Sequence, residues 1–297
     1  MKMRYFQSFQ IADGITQIED LCGTKFYLVE GSECAALLDC GAGLGNIGEY
    51  IKTLTDKPLI VLLTHGHVDH AMGGGTFPEE IPIYLNPADY EIYKRHSDLS
   101  MRKGYYRSMR LIYDGLTSLL WKTDALEWVS PASVERFLPL NSGDSFDLGD
   151  ETVEICPGAG HTPGCVTVLL HNHRILLLGD AINNGTFLFD ETALPISEYK
   201  KTLQALDEKT VGRYDQVLFC HGAPKKHGFG DVNMIKGGIW LCDAILEGRD
   251  MHISRKMNGT MCYMAKPFLQ KKDIGDKSEC NIIYSIDLCL IGYNWTR

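Results

Sequence analysis

The sequence predicts an α/β protein with two β-sheets and helices outside them. Short apolar runs typical of strands fall into two groups along the 297-residue chain, and segments with helical periodicity separate and follow these groups. Polar, glycine-rich turns stand directly after several of the apolar runs, as expected where strands end. The sequence shows no internal repeat, which argues against a solenoid or a propeller.

The first group of strands is predicted from three apolar runs. Residues 35–38 lead into the turn Asp39–Gly43, and a helix follows, with Ile47, Tyr50, Ile51 and Leu54 on one face. Residues 59–63 are apolar on both faces, which suits a strand that is covered on both sides. Residues 83–85 form the third run. Residues 88–134 then change character, because aromatic and long aliphatic residues dominate and strand signals vanish, and we predict two or three inserted helices there.

The second group of strands begins after residue 137. Strands are predicted at 152–156, 166–170, 174–178 and 216–220, with a helix from Ser197 that faces Tyr199, Leu203 and Leu206 inward. A further helix is predicted from Asp231, as its N-cap, to Gly248, with Ile235, Ile239, Cys242 and Leu246 buried. We therefore expect one domain over residues 1–250, and residues 251–297 as an extension packed on it, with a strand-like stretch at 281–291.

The composition limits the classes of partner. The formal net charge is −9 without a basic stripe, which argues against a nucleic-acid partner. No apolar run is long enough for a membrane span, and no signal peptide is readable, so the expected location is the cytoplasm. The ten cysteines are scattered without a C-x-x-C pair, which favours reduced core residues over disulfides. The oligomeric state stays open, and a homodimer is compatible with the sequence.

The strongest chemical signal is the segment Thr64–His70, which contains H-x-H-x-D-H. His65 and His67 are two residues apart and project to the same side of an extended backbone, whereas Asp69 and His70 follow where a helix is expected to begin. Imidazoles and carboxylates are ligands for zinc, iron and manganese. One short segment can therefore reach two metal ions that lie close together.

Three further candidate ligands stand in turns beside later strands. His161 lies in the turn before the strand at 166–170, Asp180 follows the strand at 174–178, and His221 follows the strand at 216–220. Each has an ordinary interpretation as a loop or turn residue. Because all three occur together with the first cluster, we interpret them as metal ligands.

These motifs together resemble the metallo-β-lactamase superfamily over about residues 15–225. The resemblance implies a four-layer αβ/βα sandwich, here with a helical insertion at about 88–134. By motif, His65, His67 and His161 match the first metal site of the family, Asp69, His70 and His221 match the second, and Asp180 matches the carboxylate that bridges both ions. Asp39 matches an acidic residue that supports the histidine loop from behind.

The resemblance implies a small-molecule hydrolase with two divalent metal ions, zinc preferred over iron or manganese. A bridging hydroxide, which Asp69 also orients, would cleave a small ester, thioester, lactone or phosphoester. Histidine at both 65 and 67 resembles hydroxyacylglutathione hydrolases, lactonases and RNA-processing hydrolases, although the tyrosine of the lactonases is Asn183 here. A mononuclear iron enzyme of the persulfide-dioxygenase type is the first alternative, and a non-catalytic metal-binding sensor is the second.

Overall fold

A computed structural model describes residues 4–114, 123–222, 228–257, 260–266 and 278–285. The chain divides into two compact units, Met1–Val153 and Glu154–Arg297, and each has its own hydrophobic core. The expected aromatic and aliphatic positions at 115–122 and the strand prediction beyond residue 285 lie outside the described residues. The single domain over residues 1–250 stays a prediction.

Unit 1 is built on a seven-stranded sheet with its strands in chain order. Strands β1 to β4 are successively antiparallel, and β4 to β7 run parallel. The strands are β1 (Phe6–Ala12), β2 (Ile15–Asp20), β3 (Lys25–Glu30), β4 (Ala35–Leu38), β5 (Leu59–Leu62), β6 (Ile83–Leu85) and β7 (Phe137–Pro139). A short strand, β8 (Ser145–Asp147), follows in the same unit.

The register of β4 and β5 places two functional segments side by side. Leu38 pairs with Leu62 in parallel, so both strands end at the same edge of the sheet. The turn that begins at Asp39 and the loop that carries the histidine cluster start from this edge. The predicted strands at 35–38, 59–63 and 83–85 are thereby confirmed, with β5 ending at Leu62.

The helices of unit 1 are α1 (Ile47–Ile51), α2 (Tyr90–His96) and α3 (Leu99–Asp114). The side chain of Asn46 caps α1 by accepting a hydrogen bond from the Glu49 amide at 3.0 Å. Because α1 ends at Ile51, Leu54 lies in the following turn, although it still packs against the core. Helices α2 and α3 confirm the predicted helical insertion within the described part of the chain.

A buried arginine ties the insertion to the turn after β4. Arg102 of α3 is 2% exposed, and its guanidinium donates to the carbonyls of Ala42, Gly43 and Val129 at 3.1, 2.7 and 2.8 Å. Five donors in a fixed fork suit such a set of carbonyl acceptors. The insertion is therefore anchored to the sheet edge from which the histidine loop begins.

Unit 2 contains strands in two sheets. In one sheet its strands follow the order β13–β11–β10–β9, and in the other the order is β12–β16–β15–β14. The strands are β9 (Thr152–Pro157), β10 (Val166–Leu170), β11 (Ile175–Leu177), β12 (Thr186–Leu188), β13 (Gln216–Leu218), β14 (Ile253–Met257), β15 (Thr260–Met264) and β16 (Ile282–Tyr284). Parallel pairing of Leu177 with Leu218 brings the ends of β11 and β13 to one edge, and β16 pairs with β12.

Helices α4 (Ile196–Thr210) and α5 (Met234–Leu246) cover the core of unit 2. Tyr199, Leu203 and Leu206 of α4 are fully buried, as predicted. The predicted N-cap of α5 is wrong, because Asn233 occupies that position, and Asp231 accepts a hydrogen bond from the Asn233 amide at 3.0 Å instead. None of the helices in the described part of the chain is long and apolar enough to cross a membrane.

Candidate metal centre

Four predicted ligands form one cluster in unit 1, which we call the unit 1 cluster: His65, His67, Asp69 and His70. The ring of His65 lies 4.7 Å from that of His67 and 4.2 Å from that of His70, measured between centroids. Nε2 of His70 is 3.5 Å from Oδ2 of Asp69. His65, Asp69 and His70 are buried. The structure thus brings together the ligands that the H-x-H-x-D-H spacing predicts.

The backbone after the histidines turns without forming an α-helix. The amide of His70 donates to the carbonyl of His67 at 3.2 Å, and a 3-10 helix, Met72–Thr76, follows shortly after the position where a helix was expected to begin. Its glycines allow close packing, because a Cβ on Gly73 would lie 2.2 Å from the carbonyl oxygen of Cys40 and one on Gly75 would lie 2.0 Å from that of Ser130.

Asp39 supports the cluster from the end of β4 and fixes two imidazole tautomers. Its carboxylate accepts hydrogen bonds from the Thr64 amide at 2.7 Å, the Thr64 hydroxyl at 2.8 Å and Nδ1 of His70 at 2.8 Å. Because the only hydroxyl hydrogen of Thr64 goes to Asp39, Oγ1 must accept from Nδ1 of His65, 3.0 Å away. His65 and His70 therefore both carry their hydrogen on Nδ1, which makes Nε2 the atom with a lone pair for a metal ion.

Two hydroxyl groups hold Asp69. Oδ2 of Asp69 accepts from the Tyr105 hydroxyl at 2.6 Å and from the Thr24 hydroxyl at 3.2 Å. Burial raises the pKa of Tyr105 well above its usual value, so this phenol remains a donor at neutral pH. Sequence reasoning assigned no role to Tyr105 or Thr24, because they lie 36 and 45 positions from Asp69 and belong to no motif.

Helix α2 adds support beside His67. The ring of His96 stacks on that of His67 with centroids 4.8 Å apart, and Nδ1 of His96 accepts from the Val68 amide at 3.2 Å. The carboxylate of buried Asp89 accepts from the Gly66 amide at 2.8 Å. The insertion therefore contacts the loop through side chains and through the backbone. Neither His96 nor Asp89 was singled out from the sequence.

Unit 2 brings together its own three predicted ligands, His161, Asp180 and His221, which we call the unit 2 cluster. Oδ2 of Asp180 lies 3.1 Å from Nε2 of His221 and 3.8 Å from Nε2 of His161. Nδ1 of His161 lies 2.8 Å from the carbonyl oxygen of Phe187. A carbonyl can only accept, so this contact places the hydrogen of His161 on Nδ1 and leaves Nε2 for a metal ion.

Small and polar residues shape the turns of unit 2 that carry these ligands. A Cβ on Gly160 would lie 2.1 Å from the Tyr199 ring, so only glycine lets the chain before His161 pack on α4. Asn183 is 6% exposed, and its side-chain oxygen accepts from the Gly185 amide at 2.8 Å. Asn183 therefore stabilises the turn after Asp180, a structural role that a tyrosine could not fill.

The donor set fits a divalent transition metal. The histidine and aspartate side chains of both clusters belong to groups that could hold a metal ion. Neutral imidazoles with a fixed Nδ1–H and buried carboxylates are the ligands that zinc and its neighbours prefer. The residues of both clusters thus suit the divalent metal ions that the sequence predicts.

Comparison with known proteins defines the class. The family model described as "Metallo-beta-lactamase superfamily" matches residues 20–221, so the chain belongs to the metallo-β-lactamase superfamily. It is 18% identical to a metallo-β-lactamase from Pontibacter korlensis, with a TM-score of 0.56 over 80% of this chain and 99% of that one. This likeness confirms the predicted fold.

Two curated relatives are more specific. The chain is 24% identical to the acyl-coenzyme A thioesterase MBLAC2 of Bos taurus over 80% of this chain and 90% of the relative. It is 20% identical to the hydroxyacylglutathione hydrolase GloC of Haemophilus influenzae over 63% of this chain and 79% of that protein. Because these homologues are hydrolases, they support the prediction that this protein is an enzyme. They also support thioester hydrolysis as its general class of reaction.

Proposed function

We propose that this protein is a metal-dependent thioester hydrolase with two divalent ions, preferentially zinc. In this proposal His65, His67 and His161 hold one ion, and Asp69, His70 and His221 hold the other. Asp180 is shared by both, and Asp39 orients His70 directly and His65 through Thr64. The observation that carries the proposal is the set of fixed tautomers, since His65, His70 and His161 each have Nδ1–H engaged and Nε2 left for a metal ion.

The chemistry divides between the ions and the chain. Bound divalent ions would polarise the scissile carbonyl and lower the pKa of a water molecule toward neutrality. Asp69 is the residue placed to orient the attacking water by accepting a hydrogen bond from it, because Tyr105 and Thr24 fix its carboxylate. A thiol has a pKa of about 8.5, so a thiolate can leave without a strong general acid. No serine or cysteine nucleophile is needed.

A thioester is favoured over the other bonds considered because both curated relatives are hydrolases and one is named for acyl-coenzyme A. Lactones are disfavoured because Asn183 stands where the lactonases have a tyrosine, and its side chain is hydrogen-bonded within its own turn. A net charge of −9 disfavours nucleic acids, because it repels polyphosphates. For the same reason, acyl thioesters should be tested on carriers with and without phosphate groups. We place the enzyme in the cytoplasm, since the nine cysteines in the described part of the chain are all free thiols.

The test combines metal analysis with a substrate panel. The protein is purified without added metal or chelator, and metals per chain are quantified by inductively coupled plasma mass spectrometry. Acyl-coenzyme A, S-acylglutathione, a lactone and a phosphodiester are then assayed before and after chelation. We expect about two zinc ions per chain and chelator-sensitive hydrolysis of the thioesters.

Other outcomes decide against the proposal. One iron per chain with oxygen uptake on a persulfide would establish the dioxygenase alternative. Bound metal without turnover of any substrate would favour the non-catalytic sensor. Asp190→Asn serves as a matched control for Asp180→Asn, because Asp190 is an exposed turn residue of the same unit whose carboxylate caps the Thr192 amide.

A further inference from the structure

The helical insertion reaches the unit 1 cluster through one phenol. Tyr105 lies in α3, and its hydroxyl donates to Oδ2 of Asp69 at 2.6 Å, shorter than the 3.2 Å bond from Thr24 to the same oxygen. Hydrogen bonds to a carboxylate are shorter and stronger than those between neutral groups, and burial strengthens them further. Both donors act on one carboxylate oxygen, although Thr24 and Tyr105 are far apart in the sequence.

The surroundings of Tyr105 keep this contact in place. Its neighbour Tyr106 is buried in a cluster with Leu44 and Leu126, and Arg102, one turn earlier in α3, is anchored to the carbonyls of the turn after β4. A helix held on both sides of Tyr105 leaves the phenol little freedom to move. The chain thus fixes the donor before any ligand arrives.

We propose that Tyr105 is a positioning residue that, with help from Thr24, holds Asp69 in the orientation in which it binds metal, so that the insertion is part of the metal centre. This inference rests on the proposed role of Asp69 as a ligand. Without Tyr105, the Asp69 carboxylate would sample other rotamers and would need to be reordered on binding. Partners that orient metal ligands in this way typically contribute about 10–100-fold in metal affinity.

The test compares full-length Tyr105→Phe, Thr24→Val and the double variant with the wild type. Tyr106→Phe is the matched control, since it removes a buried phenol hydroxyl one position away, in the cluster that faces Leu126. Zinc affinity is measured by competition with a chromogenic chelator, and the visible spectrum of the cobalt-substituted protein reports ligand geometry. Thermal unfolding checks that each variant folds.

We expect Tyr105→Phe to weaken one zinc site by about 10–100-fold and to alter the cobalt spectrum. Thr24→Val should weaken zinc binding less, because the hydrogen bond from Thr24 is longer, and Thr24→Ser should restore the wild-type affinity. The double variant should lose more zinc affinity than the two single variants together. Tyr106→Phe should match the wild type in both measurements. Zinc affinity and a cobalt spectrum in Tyr105→Phe that equal those of the wild type would overturn the inference.

The outcomes separate this inference from the proposed function. A wild type that binds no zinc and no cobalt contradicts the metal centre itself, whatever Tyr105 does. A wild type that binds both ions while Tyr105→Phe is unchanged contradicts only the positioning role. If Tyr105→Phe does not fold, Thr24→Val carries the same test through the same carboxylate oxygen, and unchanged zinc affinity there counts against the inference.

Discussion

The two clusters of candidate ligands are held by different means. In unit 1 all four ligands come from one six-residue segment, which side chains of Asp39, Thr64, Tyr105 and Thr24 hold by hydrogen bonds. In unit 2 each ligand comes from a different turn, and the imidazole of His161 donates to a backbone carbonyl, that of Phe187. Exposure differs as well, since the His221 side chain is 23% exposed and that of His70 is fully buried.

This difference predicts which substitutions each cluster tolerates. The unit 1 cluster depends on a polar network, so replacing a supporting side chain should weaken metal binding although no ligand is lost. In the unit 2 cluster strand register and tight turns place the ligands, so replacing a ligand should have the largest effect there.

Asp180→Asn should have the largest effect. It replaces a carboxylate proposed to be shared by both ions, and Nε2 atoms of His161 and His221 lie 3.8 and 3.1 Å from its Oδ2. Loss of several kcal/mol of transition-state stabilisation corresponds to a fall in kcat of about 10³-fold. Steady-state kinetics and metal content measure it, with Asp190→Asn unchanged. A rate within tenfold of the wild type would contradict the bridging role.

Asp39→Asn should have the second-largest effect, because it disrupts the hydrogen bonds that support the unit 1 cluster. An amide offers one acceptor oxygen where three donors, the Thr64 amide, the Thr64 hydroxyl and Nδ1 of His70, now converge. The tautomers of His65 and His70 would no longer be fixed, and metal affinity should fall by about 10–100-fold.

Asp89→Asn is the control for this prediction. Asp89 is equally buried, and its carboxylate accepts a hydrogen bond from the Gly66 amide of the loop, which an asparagine oxygen can still accept. Zinc competition should therefore separate the two variants. Equal affinities in both would show that fixed tautomers contribute nothing to binding.

The same contrast explains how far the sequence could predict the molecule. The unit 1 ligands were readable because they are local, and the predicted strands at 166–170, 174–178 and 216–220 located the rest once several candidates appeared together. The contacts of Tyr105 and Thr24 with Asp69 were not readable, since they depend on packing of an inserted helix and a β-turn that are distant in sequence. The strands β1, β2, β3, β7, β8, β12, β14 and β15 were not predicted; β7, β8 and β12 are only three residues long, and β1 is partly or fully exposed at every position except Phe6.

Stability against pH should also differ between the units, and Asp20 supplies the larger effect. Burial, together with the negative charge of Asp69, raises the pKa of Asp20 from 3.8 to about 7, opposed by hydrogen bonds from the amides of Ala42, Cys22 and Thr24. Between about pH 4 and 7 the folded state then binds more protons than the unfolded state, so stability falls as pH rises. The slope should stay below about 1.4 kcal/mol per pH unit.

Asp20→Asn should flatten this dependence. Urea unfolding of metal-free wild type and variant at several pH values between 4 and 7 measures the slopes. Curves that remain parallel across this range would show that Asp20 ionises normally in the folded protein.

Glu154, the first residue of unit 2, should give a smaller effect of opposite sign. Burial by itself raises the pKa of Glu154, but hydrogen bonds from Arg213, Lys209 and His171 lower it to about 2. Its contribution to stability is therefore present above about pH 4.5 and is lost as pH falls toward 2. Because Arg213 is 38% exposed, we expect about 1 kcal/mol or less.

Glu154→Gln should thus destabilise the protein at neutral pH and approach the wild type below about pH 3, where wild-type Glu154 begins to take up its proton. Urea unfolding at pH 7 and at the lowest pH at which the protein still folds measures the difference. Lys201→Gln is a suitable control, because Lys201 lies in α4 and pairs on the surface with Glu198, with both side chains more than half exposed. A deficit in Glu154→Gln that stays constant as pH falls would assign the effect to packing of the side chain, since only the charge can be titrated away.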